Sequence, residues 1–324
     1  MSLIKHKIFQ RNKYLARVFK NVFNFYTSLR GSQNYLSDSL WDNNWYGITH
    51  NLKKHLRIKG DLNAYIEHGL FFGRYTQPET TIQFSKKVIG MGPSRSKIYK
   101  NSNLEYLAIG PYIQYADEDS NFFKEICIRE GYLLVFLPHS SSNYDAQINL
   151  NKVRYVIEKV KGNREVLVSV YGRDTQNNEI QKWLTQNNYK HYTCGFKKDI
   201  LFLGKQKSMI MNSSLSISFS VGTHIGYCTY LDIPHWIFNL DTTYENKEGK
   251  KNHVDTISMD RVINESIKIE RQEILEAYSY SENIDLLKIT ELQIKVAEYY
   301  WGVDITITSS QLISFNAVTN KQII

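Results

Sequence analysis

From Gly131 onward the chain alternates apolar runs of strand length with amphipathic stretches of helix length, and this alternation constrains the fold more than any other feature. "YLLVF" leads into "PHSSS"; "DAQINLNKVRYVIEKVKG" reads as a helix closed by Gly162; "EVLVSVYGRD" reads as a strand. "NNEIQKWLTQNN" is a helix with asparagines at both ends, "YKHYTCG" a short strand, and "KDILFLGKQKSMIMNSS" a helix. "LSISFS", a helix from about Thr223 to Leu231 and "HWIFNL" complete the series. Strands separated by helices of this length imply βαβ units and a parallel sheet. Ligands of such sheets bind at the carboxyl ends of the strands. Two polar turns fall at such ends: Pro138-His139-Ser140-Ser141-Ser142 and Ser220-Val221-Gly222-Thr223-His224.

The first half has shorter apolar runs ("AYIEHGLFFG", "KKVIGMG", "LEYLAIGPYIQYA") that suit strand ends and loops of a second α/β layer. "ADEDSNFFKE" is polar and acidic and reads as a linker; its Asp117-Glu118-Asp119 sits in a charged loop, not at the end of a buried strand as a metal-holding carboxylate pair would. The tail from Asp255 is helical. The expected organisation is an N-terminal α/β domain over 1–118, a second over 125–250, and helices over 251–324 that pack back on the first. The fold class is α/β with two Rossmann-like domains.

Composition narrows the partners. With 42% hydrophobic and 22% charged residues the chain has the balance of a globular protein, and no window of about 18 apolar residues suits a spanning helix. Three widely spaced cysteines, Cys127, Cys194 and Cys228, suit a reducing cytoplasm and form no disulfide framework. A net charge of +8 favours anionic partners, but zinc-finger spacing, RNA-recognition aromatics and dense Lys/Arg blocks are lacking, so nucleic acid is not expected. Residues 3–28 place Ile4, Ile8, Leu15, Val18, Phe19 and Val22 near helical spacing among six Lys/Arg residues. Such a helix suits the inner face of an anionic membrane, and equally suits packing on its own domain. Motifs for a nucleotide-triphosphatase loop, a dinucleotide fingerprint, a nucleophile elbow or a zinc protease are lacking.

Three groups of residues could carry chemistry. Glu67-His68-Gly69 ends an apolar run, where either acidic or imidazole side chain is a candidate general base. His139, Ser140, Ser141 and Ser142 could hold phosphate with the next helix N-terminus, although serines also cap helices without any ligand. Ser220 and Thr223 offer hydroxyls to a phosphate, Gly222 allows close backbone approach, and His224 adds a possible charge; His235 reads as structural.

With "EHG" in the first half, then "FLPHSS", "GRD" and "SFSVGTHIGYCTYLDIP" in the second, the chain resembles GT-B-fold bacterial glycosyltransferases of surface-polysaccharide (capsule or lipopolysaccharide) assembly, most closely over residues 130–240. Within them, "HG" resembles glycerol- and ribitol-phosphate transferases, and "E-x-G" followed by "P-H" resembles transferases of CMP-activated acidic sugars. The resemblance implies metal-independent transfer from a nucleotide-sugar co-substrate, CMP- or CDP-linked, to a glycan or lipid-linked acceptor. It implies Glu67 or His68 as base, His139, Ser140, Ser141, Ser220, Gly222 and Thr223 as holders of donor phosphate, and Gly172-Arg173 near the nucleotide. Glycerol- or ribitol-phosphate transfer, and a non-catalytic sugar-nucleotide-binding partner, are the alternatives.

Overall fold

The computed structural model describes residues 43–73, 86–140, 144–246, 251–253, 265–282 and 284–317. The expected basic helix over 3–28, and Ser141 and Ser142, lie outside them. Strands β1 (Tyr65–Ile66), β2 (Lys87–Gly90) and β3 (Glu105–Ala108) form a parallel sheet in that order. Further along come β4 (Tyr132–Phe136), β5 (Tyr144–Ile148), β6 (Val166–Ser169), β7 (Lys190–Tyr192), β8 (Ser213–Ser218), β9 (His235–Ile237), β10 (Thr242–Asn246) and β11 (Lys251–His253). Five of these make a second sheet, parallel throughout, in the order β7-β6-β4-β8-β9. The fold is α/β with parallel sheets, as the strand–helix alternation implies.

The second sheet is covered on both faces, which is why β4 is a continuous apolar run rather than an alternating one. Leu133 and Val135 enter one apolar cluster with Leu215, Ile217 and Trp236. Tyr132, Leu134 and Phe136 enter another, shared with Ile66 and Ile89 of the first sheet. The larger core therefore runs from one sheet to the other.

One stretch departs from the expectation. Residues 145–162 do not form a single helix: Tyr144–Ile148 is a strand pairing antiparallel with Thr242–Asn246, in a small sheet ordered β11-β10-β5. The helix proper is Leu150–Val160, started by Asn149, whose side-chain oxygen accepts from the Asn151 and Lys152 amides at 3.1 Å each. The strand's partner lies about a hundred residues away, so local periodicity could not reveal it.

The C-terminal helices Glu265–Tyr278, Glu291–Trp301 and Ser309–Asn316 touch both sheets. Gln293 donates to the His235 carbonyl at 3.1 Å on β9. Trp301, fully buried, lies against Gly226, where any side chain would collide with its indole. Farther on, Asn316 donates to the Asp61 carbonyl at 2.9 Å, and the Lys87 ammonium of β2 donates to the carbonyls of Phe315 and Ala317. Among the described residues no helix is long and apolar enough to cross a membrane.

Candidate functional site

Strand β8 hands over to the helix Thr223–Tyr230 through Ser220-Val221-Gly222. No side chain caps this helix. The Ile225 amide donates to the Gly222 carbonyl at 3.3 Å, while the Thr223 and His224 amides precede the first helical bond, so the positive end is presented without a capping side chain. Gly222 has an extended backbone (φ −164°) that any residue adopts. Its role is spatial: a Cβ there would lie 2.8 Å from His224 Cε1 and 2.9 Å from Nδ1. The His224 ring folds over the turn and stacks on Phe136, with centroids 4.4 Å apart and planes at 24°. Its Nε2 is buried without a hydrogen-bond partner. Burial, with a smaller contribution from His139, pulls His224 down to about 3, so the ring is neutral. Behind it, 5.2 Å away, His235 is clamped between the Ser216 and Ser218 hydroxyls at 2.9 Å each. That pairing gives β8 its buried serines and makes His235 structural, as expected from the sequence.

At the end of β4, His139 reaches the surface of the cleft beside the Tyr171 ring, with centroids 5.2 Å apart. Although accessible to solvent, it is ringed closely enough by protein that desolvation lowers its basicity, against the pull of Asp174. Ser140 behaves differently from the expectation. It is buried; its amide donates to Asp174 Oδ2 at 3.0 Å and its hydroxyl accepts from the Ala146 amide at 3.0 Å. It staples the loop and does not line the cavity. Gly172 and Arg173 also stand apart from it. The Gly172 amide donates to the Gly195 carbonyl at 3.2 Å, an approach a Cβ would block, and Arg173 pairs with Asp145 at 3.5 Å. In "GRD" it is the buried Asp174 that organises this edge, through Ser140 and His139; the capping and turn preferences of aspartate were the only signal for it.

On the first sheet, Glu67 and His68 follow β1 and point to different places. Glu67 is 2% exposed, accepting from Arg95 Nε at 2.9 Å and from the Tyr99 hydroxyl at 2.6 Å. Burial raises its carboxyl above the usual range despite those partners. Held there, it does not line the cavity and is not placed to take a proton from an acceptor. His68 does line it, edge-on to Trp45 (4.4 Å) and Phe71 (5.0 Å). Burial, and then the Lys197 charge, bring His68 down to about 4, and its Nδ1 is buried without a partner. Two residues on, the Leu70 amide donates to Thr223 Oγ1 at 3.0 Å. Thr223 thus ties the first-sheet loop to the second-sheet helix, and Gly69 gives it room, since a Cβ there would sit 2.9 Å from the same oxygen.

These edges enclose a cavity of about 420 Å³. His68, His139, Ser220, Gly222, Thr223 and His224 all line it. So do Tyr46, Tyr171, Phe202, Tyr244 and Arg271, which no motif or periodicity singles out. Tyr46 holds a left-handed backbone (φ 58°) at the wall, an uncommon conformation for a side-chain-bearing residue. Arg271 comes from the helix Glu265–Tyr278 and brings a permanent positive charge. Among the described lining residues there is no carboxylate. The arrangement can hold an anion at the Thr223 helix terminus, stack rings on its aromatic walls, and offer a neutral imidazole on the opposite side.

No family model matches the chain, and no curated protein matches it. Among solved structures it is similar to the UDP-GlcNAc 2-epimerase of Methanocaldococcus jannaschii in complex with UDP-GlcNAc and UDP, at 14% identity and TM-score 0.34, covering 48% of this chain and 46% of that one. It is similar to UGT71G1 of Medicago truncatula complexed with UDP-glucose, at 11% identity and TM-score 0.30, covering 76% and 52%. It is also similar to UGT2 of Phytolacca americana complexed with UDP-2-fluoro-glucose and pterostilbene, at 9% identity and TM-score 0.31, covering 73% and 50%. The chain spans about half the length of each. Likeness at this level assigns neither family nor substrate.

Proposed function

We propose that the protein is a glycosyltransferase of GT-B type that moves a sugar from a nucleotide-activated donor to a surface-glycan or lipid-linked acceptor. The observation that carries the reading is the meeting of two parallel-sheet carboxyl edges around one cavity with no carboxylate among its described lining residues, an uncapped helix terminus and Arg271 in its wall. At about 420 Å³ the cavity is within the ordinary range for small-molecule sites. In this reading the donor phosphates sit against Ser220, Gly222 and the Thr223 and His224 amides, with His139 and Arg271 nearby. The helix terminus and Arg271 stabilise the charge that develops on the leaving nucleotide. His68 receives the acceptor proton, since Glu67 is committed to Arg95.

The withdrawal of Glu67 and the low basicity of His68 favour one second reading, a sugar-nucleotide-binding module without transferase activity. Transfer of glycerol or ribitol phosphate from a CDP-linked donor would use the same edge. The test is thermal-shift titration with CMP, CDP, UDP and GDP, followed by transfer assays with the sugar or polyol derivatives of whichever stabilises. A ligand at 100 times its dissociation constant stabilises by about 2.7 kcal/mol. Binding with no donor cleavage in the presence of acceptor glycans supports the module; no binding of any of the four overturns both readings.

A further inference from the structure

Beside the cavity, residues 195–203 read "GFKKDILFL". A hydrogen-bonded turn, Asp199 amide to Phe196 carbonyl at 2.8 Å, presents Phe196, Ile200 and Leu201 to solvent at 56%, 50% and 58% exposure. Three large apolar side chains exposed within six residues are not a scattering of single surface residues. The loop is held firmly at its base. The Tyr46 amide donates to the Lys197 carbonyl at 2.6 Å, and a Cβ on Gly47 would strike the Ile200 carbonyl.

Its position and charge both matter. Phe196 packs 6.2 Å from Tyr171 and Phe202 packs 4.7 Å from Tyr46, and all but Phe196 line the cavity, so the loop forms part of its rim. From 196 to 207 the chain carries four lysines against one aspartate, Asp199, which is paired with Lys205 at 3.1 Å; Lys197 lies over the Trp45 ring at 3.7 Å and Lys207 donates to the Ala116 carbonyl at 2.9 Å, so the segment keeps a net positive charge. Lys198 is itself exposed at the tip.

We propose that the Phe196–Leu201 loop docks the protein on an anionic lipid bilayer, its apolar side chains entering the interface and the net positive charge of the segment, with Lys198 at the tip, drawing it to the headgroups, so that the cavity mouth opens at the membrane. This is the chemistry of an interfacial anchor: apolar area buried at the acyl boundary together with electrostatic attraction to anionic lipid. It gives the lipid-linked form of the acceptor in the proposed function a route into the cavity, and rests on that reading only for its purpose, not for the binding itself.

The full chain should co-sediment with vesicles of phosphatidylglycerol and phosphatidylcholine, and much less with phosphatidylcholine alone. Binding should weaken as salt is raised. The triple variant Phe196→Ser, Ile200→Ser, Leu201→Ser should lose at least about tenfold in vesicle affinity, since each side chain gives up apolar area at the interface. Amide hydrogen exchange of the parent should slow over 195–201 when vesicles are added, a readout independent of any substitution. Nucleotide-induced thermal shifts should be the same in parent and variant, which separates failure of this proposal from failure of the proposed function. It is overturned if the parent ignores anionic vesicles, if the variant binds them as well as the parent, or if exchange over 195–201 is unchanged. Self-association through these residues without vesicle binding would assign the surface to a second copy and overturn it as well.

Discussion

At the first sheet's edge, Glu67 meets Arg95 and Tyr99, each atom of the contact buried and committed. Across the cavity, the second sheet's edge ends in a helix without a cap, a glycine that makes room for a ring, and a His224 Nε2 with no partner. The Glu67 contact is satisfied internally; the second edge, like His68 Nδ1 beside Glu67, leaves polar atoms for something else to satisfy. Buried polar groups are nearly always paired, so the contrast separates a structural contact from a binding surface. It also shows that two chemically similar sheet ends acquire different roles from what packs behind them. Behind Glu67 stands an arginine, and behind His224 stand Phe136 and a neutral His235.

The sharpest way to break the comparison is to unsettle the satisfied edge. Arg95→Met leaves Glu67 buried without its cation, which costs about 3–5 kcal/mol. Denaturant unfolding should show that loss; a variant as stable as the parent would mean the pair is not the anchor of this edge. At the open edge the expected damage is to binding instead. Gly222→Val forces His224 off its seat and fills the approach to the helix terminus. Nucleotide affinity should fall by about tenfold or more, as expected for losing one charge-assisted hydrogen bond, while the fold survives. Equal affinity in a folded variant would reduce Gly222 to a packing residue.

The histidines allow a third test, through pH. His68 and His224 are lowered by burial to about 4 and about 3, so the unfolded chain binds their protons more readily than the folded one. Their contribution to stability is therefore present above about pH 6.5 and is lost as pH falls from there toward 4. His68→Gln should flatten that decline by on the order of 1–3 kcal/mol, measured from denaturation midpoints between pH 7 and 4.5. Nucleotide phosphate placed beside His224 should raise its basicity and draw protons from solution. Calorimetry at pH 6 in buffers of different ionisation enthalpy would detect that uptake, and its absence would place the phosphate elsewhere.

The smallest effect concerns the link between the edges. Thr223→Val removes the acceptor for the Leu70 amide and should cost about 1 kcal/mol, while Thr223→Ser should restore most of it. Serine and valine variants of equal stability would mean that the two sheets are joined by the apolar core alone.

How much of this could be read from residues alone varied with the range of the interactions involved. Five parallel strands and the helices between them were legible because burial on both faces writes continuous apolar runs, and helices write a 3.6-residue period. The turns at Pro138 and Ser220 were legible as sheet-edge turns for the same reason. The strand Tyr144–Ile148 was not, because its pairing with Thr242–Asn246 is a contact at long sequence separation. Nor was Arg271, which a C-terminal helix carries across the fold to the cavity.

By itself, then, the sequence determined the α/β class, the positions of strand ends, and the residue types available there: a carboxylate beside an imidazole, serines beside histidines, and a glycine before a helix. Only the tertiary structure decided which of them is committed and which is offered. Glu67 and Ser140 were as plausible as His68 and Ser220 until Arg95, Tyr99 and Asp174 took their hydrogen-bonding capacity. Periodicity and local propensity follow from neighbours along the chain, whereas the state of a polar side chain depends on the partners and burial that packing brings to it from distant segments.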